Sequence, residues 1–235
     1  MSSQCPSPQN SQRHQWHWRY RCETRDISIP PSELSVKASL SPNMAPTLAN
    51  SFSNGNATAI IIPGSPAVTI TYTQLRRDIS TFQQKLAKLG ITTGSAVSIA
   101  LPNSYPFIVA FLAAAWQRGI AAPLNPAYKQ DEFEFYIDDL SSAVTLVPQG
   151  AFSAESPAVK AARKYKAAIA ECYWNGKEVV LDVKEEGKLK GQGNKPIEQA
   201  QPEDTALVLH TSGTTGRPKA VPLSHRNLTR TMREF

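Results

Sequence analysis

An α/β fold of parallel strands flanked by helices follows from three features of the sequence. Short β-rich runs alternate with helical patterns from Ala59 onward, the order expected when a helix carries the chain back to lay each strand parallel to its predecessor. Leu75, Ile79, Phe82, Leu86 and Leu89 recur at helical spacing, the mark of a helix with one apolar face. The chain has 235 residues and is 41% hydrophobic, enough to bury the core of one or two domains.

Taken in order, Val68 to Tyr72 reads as a strand. Thr73 is placed to cap the helix that follows, and Gly90 to end it. Ala96 to Leu101 reads as a buried strand, and Pro102-Asn103-Ser104 turns the chain into an apolar helix ending near Arg118-Gly119. Ala121 to Leu124 reads as a short strand before the Asn125-Pro126 turn. A second unit follows, with a helix around Asp131 to Leu140, a strand at Ala143 to Val147 and a helix from Ala158 to Tyr165. Ile169 to Trp174 and Glu178 to Val183 are strand candidates joined by the turn Asn175-Gly176-Lys177. Lys184 to Lys195, with three glycines and mixed charge, reads as a solvated loop leading to a last strand, Thr205 to Leu209. No internal repeat is visible.

Composition narrows the classes of function. The net charge of +6 is dispersed, and charge argues for a nucleic-acid or membrane partner only when clustered. The longest apolar run, Pro106 to Trp116, is far short of the roughly 20 residues that span a bilayer, so no transmembrane segment is expected. Cys5, Cys22 and Cys172 are odd in number and far apart, giving neither a disulfide framework nor a pair at metal-ligand spacing. Cys172 is expected to pack as a small apolar residue in a strand.

Residues 1–43 are rich in Ser, Pro, Gln and Arg, without a sustained hydrophobic period, which predicts a disordered leader or an address. Met44 sits where that composition ends. Two readings stay open: a genuine extension, or an upstream gene-model artefact with translation starting at Met44. In the leader, Trp16, Trp18 and Tyr20 interleave with Arg13, His14, Arg19 and Arg21, a pattern able to stack on single-stranded nucleic acid. A leader without that role is the simpler reading, and no nucleic-acid partner is expected.

The segment that carries chemistry is Leu207-Val208-Leu209-His210-Thr211-Ser212-Gly213-Thr214-Thr215-Gly216-Arg217-Pro218-Lys219, a strand opening into a hydroxyl-rich glycine loop. Phosphate binding needs a chain that approaches closely with its amides turned outward, extra donors and a fixed cation. Gly213 and Gly216 permit the approach. Thr211, Ser212, Thr214 and Thr215 offer hydroxyls, and Lys219 supplies the charge. The P-loop of common NTPases has four residues between its glycines and then Gly-Lys-Ser/Thr opening a helix. Here two residues separate Gly213 from Gly216, and Pro218 blocks a helix across Lys219.

Thr211 to Lys219 resembles the signature phosphate loop of the adenylate-forming superfamily, which includes acyl-CoA synthetases, luciferases and peptide-synthetase adenylation domains. Thr71-Tyr72-Thr73-Gln74-Leu75, Leu101-Pro102-Asn103-Ser104 and Pro123-Leu124-Asn125-Pro126-Ala127-Tyr128 resemble that family's upstream landmarks in order and spacing. Leu209-His210-Thr211 with Arg217 to Leu223 is most similar to the peroxisomal-CoA-synthetase and oxalate-CoA ligase branch. The resemblance implies that residues 44–235 are the parallel-sheet N-terminal part of a large adenylation domain, truncated after the phosphate loop.

It also implies an acid-CoA ligase that uses ATP, Mg²⁺ and coenzyme A on a small-molecule carboxylic acid. Thr211, Ser212, Gly213, Thr214, Thr215, Gly216 and Lys219 would hold the β- and γ-phosphates. No acid-base catalyst or metal ligand is implied within this chain, because the family's magnesium-orienting glutamate and adenylation lysine would lie beyond Phe235. The chain is therefore expected to be incomplete and inactive by itself, with uncovered apolar surface at its last strand. The alternative is a noncatalytic protein retaining only the phosphate loop. Peroxisome or cytoplasm is the implied location, with no address readable in Arg233-Glu234-Phe235.

The remaining polar candidates have plain readings. His225, at a helix start, is expected to be a surface or capping neighbour. Asp138-Asp139 reads as a helix end, and Glu185-Glu186 as a solvated turn.

Overall fold

The computed structural model describes residues 47–211 and 218–233. The leader and Met44 lie outside them. A one-turn helix α1 (Leu48–Ser51) precedes the hairpin β1 (Thr58–Ile62) and β2 (Val68–Thr71). Helix α2 (Tyr72–Leu89) leads to β3 (Ala96–Ile99), α3 (Tyr105–Trp116), β4 (Ile120–Pro123), α4 (Gln130–Asp139), β5 (Val144–Val147), α5 (Pro157–Lys164) and β6 (Ala168–Trp174). The chain then forms β7 (Val179–Glu185), β8 (Thr205–Thr211), β9 (Lys219–Ser224) and α6 (His225–Arg233).

Seven strands form one sheet in the order β7-β6-β5-β3-β4-β8-β9. The five inner strands run parallel, and β7 and β9 close the two edges antiparallel. Both faces are covered, as a parallel sheet requires. On one face, Leu75, Ile79, Phe82 and Leu86 of α2 and Val109 and Ala113 of α3 pack on Val97, Ile99, Val144 and Leu146. On the other, Phe133 and Ile137 of α4 and Val159 and Ala162 of α5 pack on Ala100, Leu124, Val147 and Ile169. Alternation along β3 explains the division, since successive side chains point to opposite faces.

The helix with the clearest period forms as its sequence predicts. Its cap is Thr71, whose hydroxyl accepts the Gln74 N–H at 3.1 Å, and not Thr73, which lies inside the first turn and donates to the Gly55 carbonyl at 2.8 Å. Both threonines precede the apolar period, and the Asx-like geometry goes to the one still extended, at φ −82° and ψ 163°. Gly90 ends the helix at φ 107°, where a side chain would be strained.

Three further expectations are corrected. Lys184 to Lys195 is not all solvated loop: β7 continues to Glu185, and a 3₁₀ turn over Gly187–Leu189 packs back on the sheet. The Lys188 N–H donates to the Lys166 carbonyl at 2.8 Å, and a Cβ on Gly187 would meet that carbonyl at 2.4 Å. Glu185 is not in a solvated turn but ends β7, paired with Arg163 at 2.8 Å. His225 is neither a surface residue nor a cap; it is fully buried. Its Nδ1 accepts the Leu48 N–H at 3.2 Å and its Nε2 donates to the Ala115 carbonyl at 3.1 Å. One ring thereby ties α1, the end of α3 and the start of α6.

Nearby, Arg118 bridges Asp204 and Glu198, each at 2.8 Å, holding the approach to β8 against the end of α3. Burial would raise the Asp204 carboxyl's pKa, but hydrogen bonds from Arg118 and the Gln201 N–H hold it below the usual carboxylate range. Cys172 packs in the core as expected, and burial pushes its thiol up to about 12, leaving little thiolate at neutral pH.

The His225 contacts carry a stability prediction. Replacing His225 by Phe leaves the Leu48 N–H and Ala115 carbonyl without those partners, which should lower the unfolding free energy by about 2–4 kcal/mol in urea titrations. Burial depresses the folded ring's pKa below its ordinary 6.5, against opposing effects of the Ala115 carbonyl and Asp204. The unfolded chain then binds more protons, so this contribution is intact above pH 6.5 and is lost as pH falls from there toward the depressed value. Urea midpoints at about pH 7.5 and about pH 5.5 should differ less in His225→Phe than in the wild type.

Candidate functional site

The glycine loop springs from the C-terminal end of β8, the rim where ligands bind in open parallel sheets. Its two ends are held opposite one another. Thr211, the last residue of β8, pairs in register with Lys219, the first of β9. Both are exposed. The next rung joins His210 to Ala220, followed by Leu209 and Val221. Ser212, Gly213, Thr214, Thr215 and Gly216 lie outside the described residues.

Antiparallel partners share a face and neighbours along a strand alternate. Thr211 and Lys219 therefore stand on the same face as Leu209 and Val221, while His210 and Ala220 stand on the other. On the first face, Leu209 and Val221 are 42% and 37% exposed. A hydroxyl and an ammonium group thus stand at the mouth of a loop beside accessible apolar surface.

On the opposite face the strand end is tied down. His210 Nε2 lies 2.9 Å from Asp139 Oδ2, and its ring packs against Tyr136 at a centroid distance of 4.6 Å. Tyr136 in turn meets Tyr128, from the β4–α4 connection, at 5.1 Å. Burial, with a hydrogen bond between the two tyrosines, pushes the Tyr136 hydroxyl up to about 12. Asp138-Asp139 does end a helix, as its sequence suggests, but the sequence gives no sign of the His210 contact. The signal available in principle was a lone histidine on the inward face of a strand, a weak one by itself.

The β3–α3 connection and the β4–α4 connection leave this rim toward opposite faces of the sheet, because α3 and α4 cover different sides. Asn125 Oδ1 accepts the Ala127 N–H at 3.0 Å, setting the turn after β4. The Glu132 carboxylate accepts the Lys129 N–H at 2.8 Å, fixing the entry of α4. An open apolar cleft of about 630 Å³ lies elsewhere, between β1 and the start of α3, lined by Ile60, Ile62, Phe107, Ile108 and Trp174 among others. None of its lining comes from β8, β9 or α4. Among the described residues, no group of three His, Cys, Asp or Glu side chains is placed to hold a metal ion, and no helix is long and apolar enough to cross a membrane.

Comparison with known proteins agrees with this architecture. Residues 49–235 match the family model described as AMP-binding enzyme. An oxalate–CoA ligase of Arabidopsis thaliana is 40% identical over 141 residues, covering 59% of this chain and 26% of the relative. An oxalate–CoA ligase of Saccharomyces cerevisiae is 32% identical over 207 residues, covering 77% of this chain and 38% of the relative. The chain thus spans about a quarter to two fifths of the length of these two relatives. Among solved structures, ATP-bound MatB from Rhodopseudomonas palustris superposes with a TM-score of 0.58 at 23% identity, covering 76% of this chain and 34% of that one. At that identity the likeness speaks for the fold, and it supports the α/β, mostly parallel architecture.

Lys219 stands exposed and in no ion pair among the described residues. Lys219→Ala should therefore change the unfolding free energy by less than about 0.5 kcal/mol, measured by urea denaturation of the 235-residue chain.

Proposed function

This chain belongs to the AMP-binding enzyme family, and from that premise we propose that Thr211, Ser212, Gly213, Thr214, Thr215, Gly216 and Lys219 hold the β- and γ-phosphates of ATP for carboxylate activation in an acid-CoA ligase. The observation that carries the reading is the register pair of Thr211 with Lys219. A donor hydroxyl and a cation face each other across the strand pair from which the glycine loop rises, at the ligand-binding rim of a parallel sheet.

The chemistry explains why such a loop is needed. A carboxylate lacks a good leaving group. Its oxygen attacks the α-phosphorus of ATP, the bond from that phosphorus to the bridging oxygen breaks, and pyrophosphate departs. The thiol of coenzyme A then attacks the acyl carbon, losing its proton, and AMP leaves. Negative charge builds on the departing pyrophosphate in the first step, where fixed donors and a lysine are most effective. Within this chain Lys219 and the loop hydroxyls bind and orient the phosphates; none of them moves a proton.

Magnesium, when bound with ATP, would supply further charge neutralisation. The described residues offer it no carboxylate cluster, and no step is assigned to it. Small carboxylic acids are the proposed substrate class, and oxalate belongs among those tested because two relatives are named oxalate–CoA ligases.

ATP–pyrophosphate exchange, driven by a panel of acids including oxalate, tests the reading on the 235-residue chain and on a polypeptide extended through the downstream reading frame. Exchange by the extended form, reduced at least about tenfold by Lys219→Ala, is the expected outcome. Silence from both forms with every acid would move the protein to a noncatalytic role.

A further inference from the structure

The contact between His210 and Asp139 is unexplained by the assignments above. It sits one residue from the end of β8, and the residue after it is Thr211. Its partner ends α4, a helix whose last turn contains no basic residue. A carboxylate at a helix C-terminus meets the negative end of the helix dipole and is disfavoured there. Local rules are broken in this way mostly where something else is gained. Here a ring N–H donated across 71 residues of sequence meets that carboxylate at 2.9 Å.

The histidine ring is nearly enclosed, and its Nε2 edge is turned to Asp139. Its side chain is 6% exposed, against 41% for Asp139. Tyr136 and Phe135 meet the ring at 4.6 and 6.2 Å. Three separate pieces of chain, the β4–α4 connection through Tyr128, α4 and β8, thus meet one residue before Thr211. Because side chains alternate along a strand, fixing His210 on the α4 face fixes the peptide plane that presents Thr211 on the other.

We propose that His210 is a positioning residue: its hydrogen bond to Asp139 and its seat on Tyr136 fix the rung on which Thr211 and Lys219 stand, and thereby their aim at a bound phosphate. This rests on the reading of Thr211 and Lys219 as phosphate ligands. The competing account is a tie between helix and sheet that only adds stability. The two differ in what is lost when the N–H donor alone is removed. A structural tie lowers the melting temperature and leaves phosphate affinity unchanged in the molecules that remain folded. A positioning residue lowers affinity even where folding is intact.

Isothermal titration of inorganic pyrophosphate and of Mg²⁺-ATP into the 235-residue chain separates them. His210→Phe keeps a ring against Tyr136 without the donor, and should bind pyrophosphate about tenfold more weakly. His210→Gln, which restores an N–H, should recover to within about threefold of wild type. Asp139→Ala, at a largely accessible side chain, should weaken binding as His210→Phe does, and serves if the latter does not fold. Phe82→Leu, in α2 on the opposite face of the sheet and packed in the other core cluster, should lower the melting temperature and leave affinity unchanged.

Wild-type affinity in folded His210→Phe or in Asp139→Ala, no recovery in His210→Gln, or weakening in Phe82→Leu that tracks its lost stability would each overturn the positioning role while leaving the phosphate reading intact. Failure of the wild-type chain to bind either probe would overturn both.

Discussion

Burial of a parallel sheet on both faces is the constraint from which the rest of this structure descends. Five parallel strands cannot be joined by tight turns, so each must be followed by a crossover, and the crossovers become the two helical layers. Because α3 covers one face and α4 the other, the connections after β3 and β4 part company at the same rim. A neighbouring strand end at that rim is left accessible, and β8 supplies it. The position of the paired strand ends Thr211 and Lys219 is thus a product of sheet topology before any ligand chemistry enters.

Much of this could be read from the chain alone, and the reasons are physical. The period of α2 is legible because one face is buried along most of its length. β3 and β5 are legible as apolar runs because they are buried on both sides. The glycine loop is legible because two glycines, four hydroxyl residues and a lysine fall within nine contiguous positions, a local pattern that needs no tertiary information. Thr71 rather than Thr73 caps α2 because two hydroxyls two residues apart both satisfy the composition, and only backbone dihedrals decide between them. The packing at Gly187 is not legible because close approach of two backbones leaves no mark on hydropathy.

Long-range polar contacts were the least legible feature. His225 joins Leu48 across 177 residues, and His210 joins Asp139 across 71. Neither has a local pattern, since a histidine with both nitrogens engaged looks in sequence like any histidine. Their effects differ: His225 is sealed inside and bonded to main chain on both sides, which makes it a structural node, whereas His210 ends in a half-accessible carboxylate beside the motif. Position, rather than residue type, separates a contact sealed in the core from one at the sheet rim beside Thr211.

The β9 edge has a consequence for how this end of the molecule meets others. Pro222 lies inside the strand and has no N–H to contribute, and Lys219 places a charge at its start, two devices that discourage one sheet from growing onto another. The accessible apolar pair Leu209 and Val221 points out of the sheet plane. Among the described strands, a surface can lie flat against Leu209 and Val221, whereas a strand added along β9 would find no N–H at Pro222.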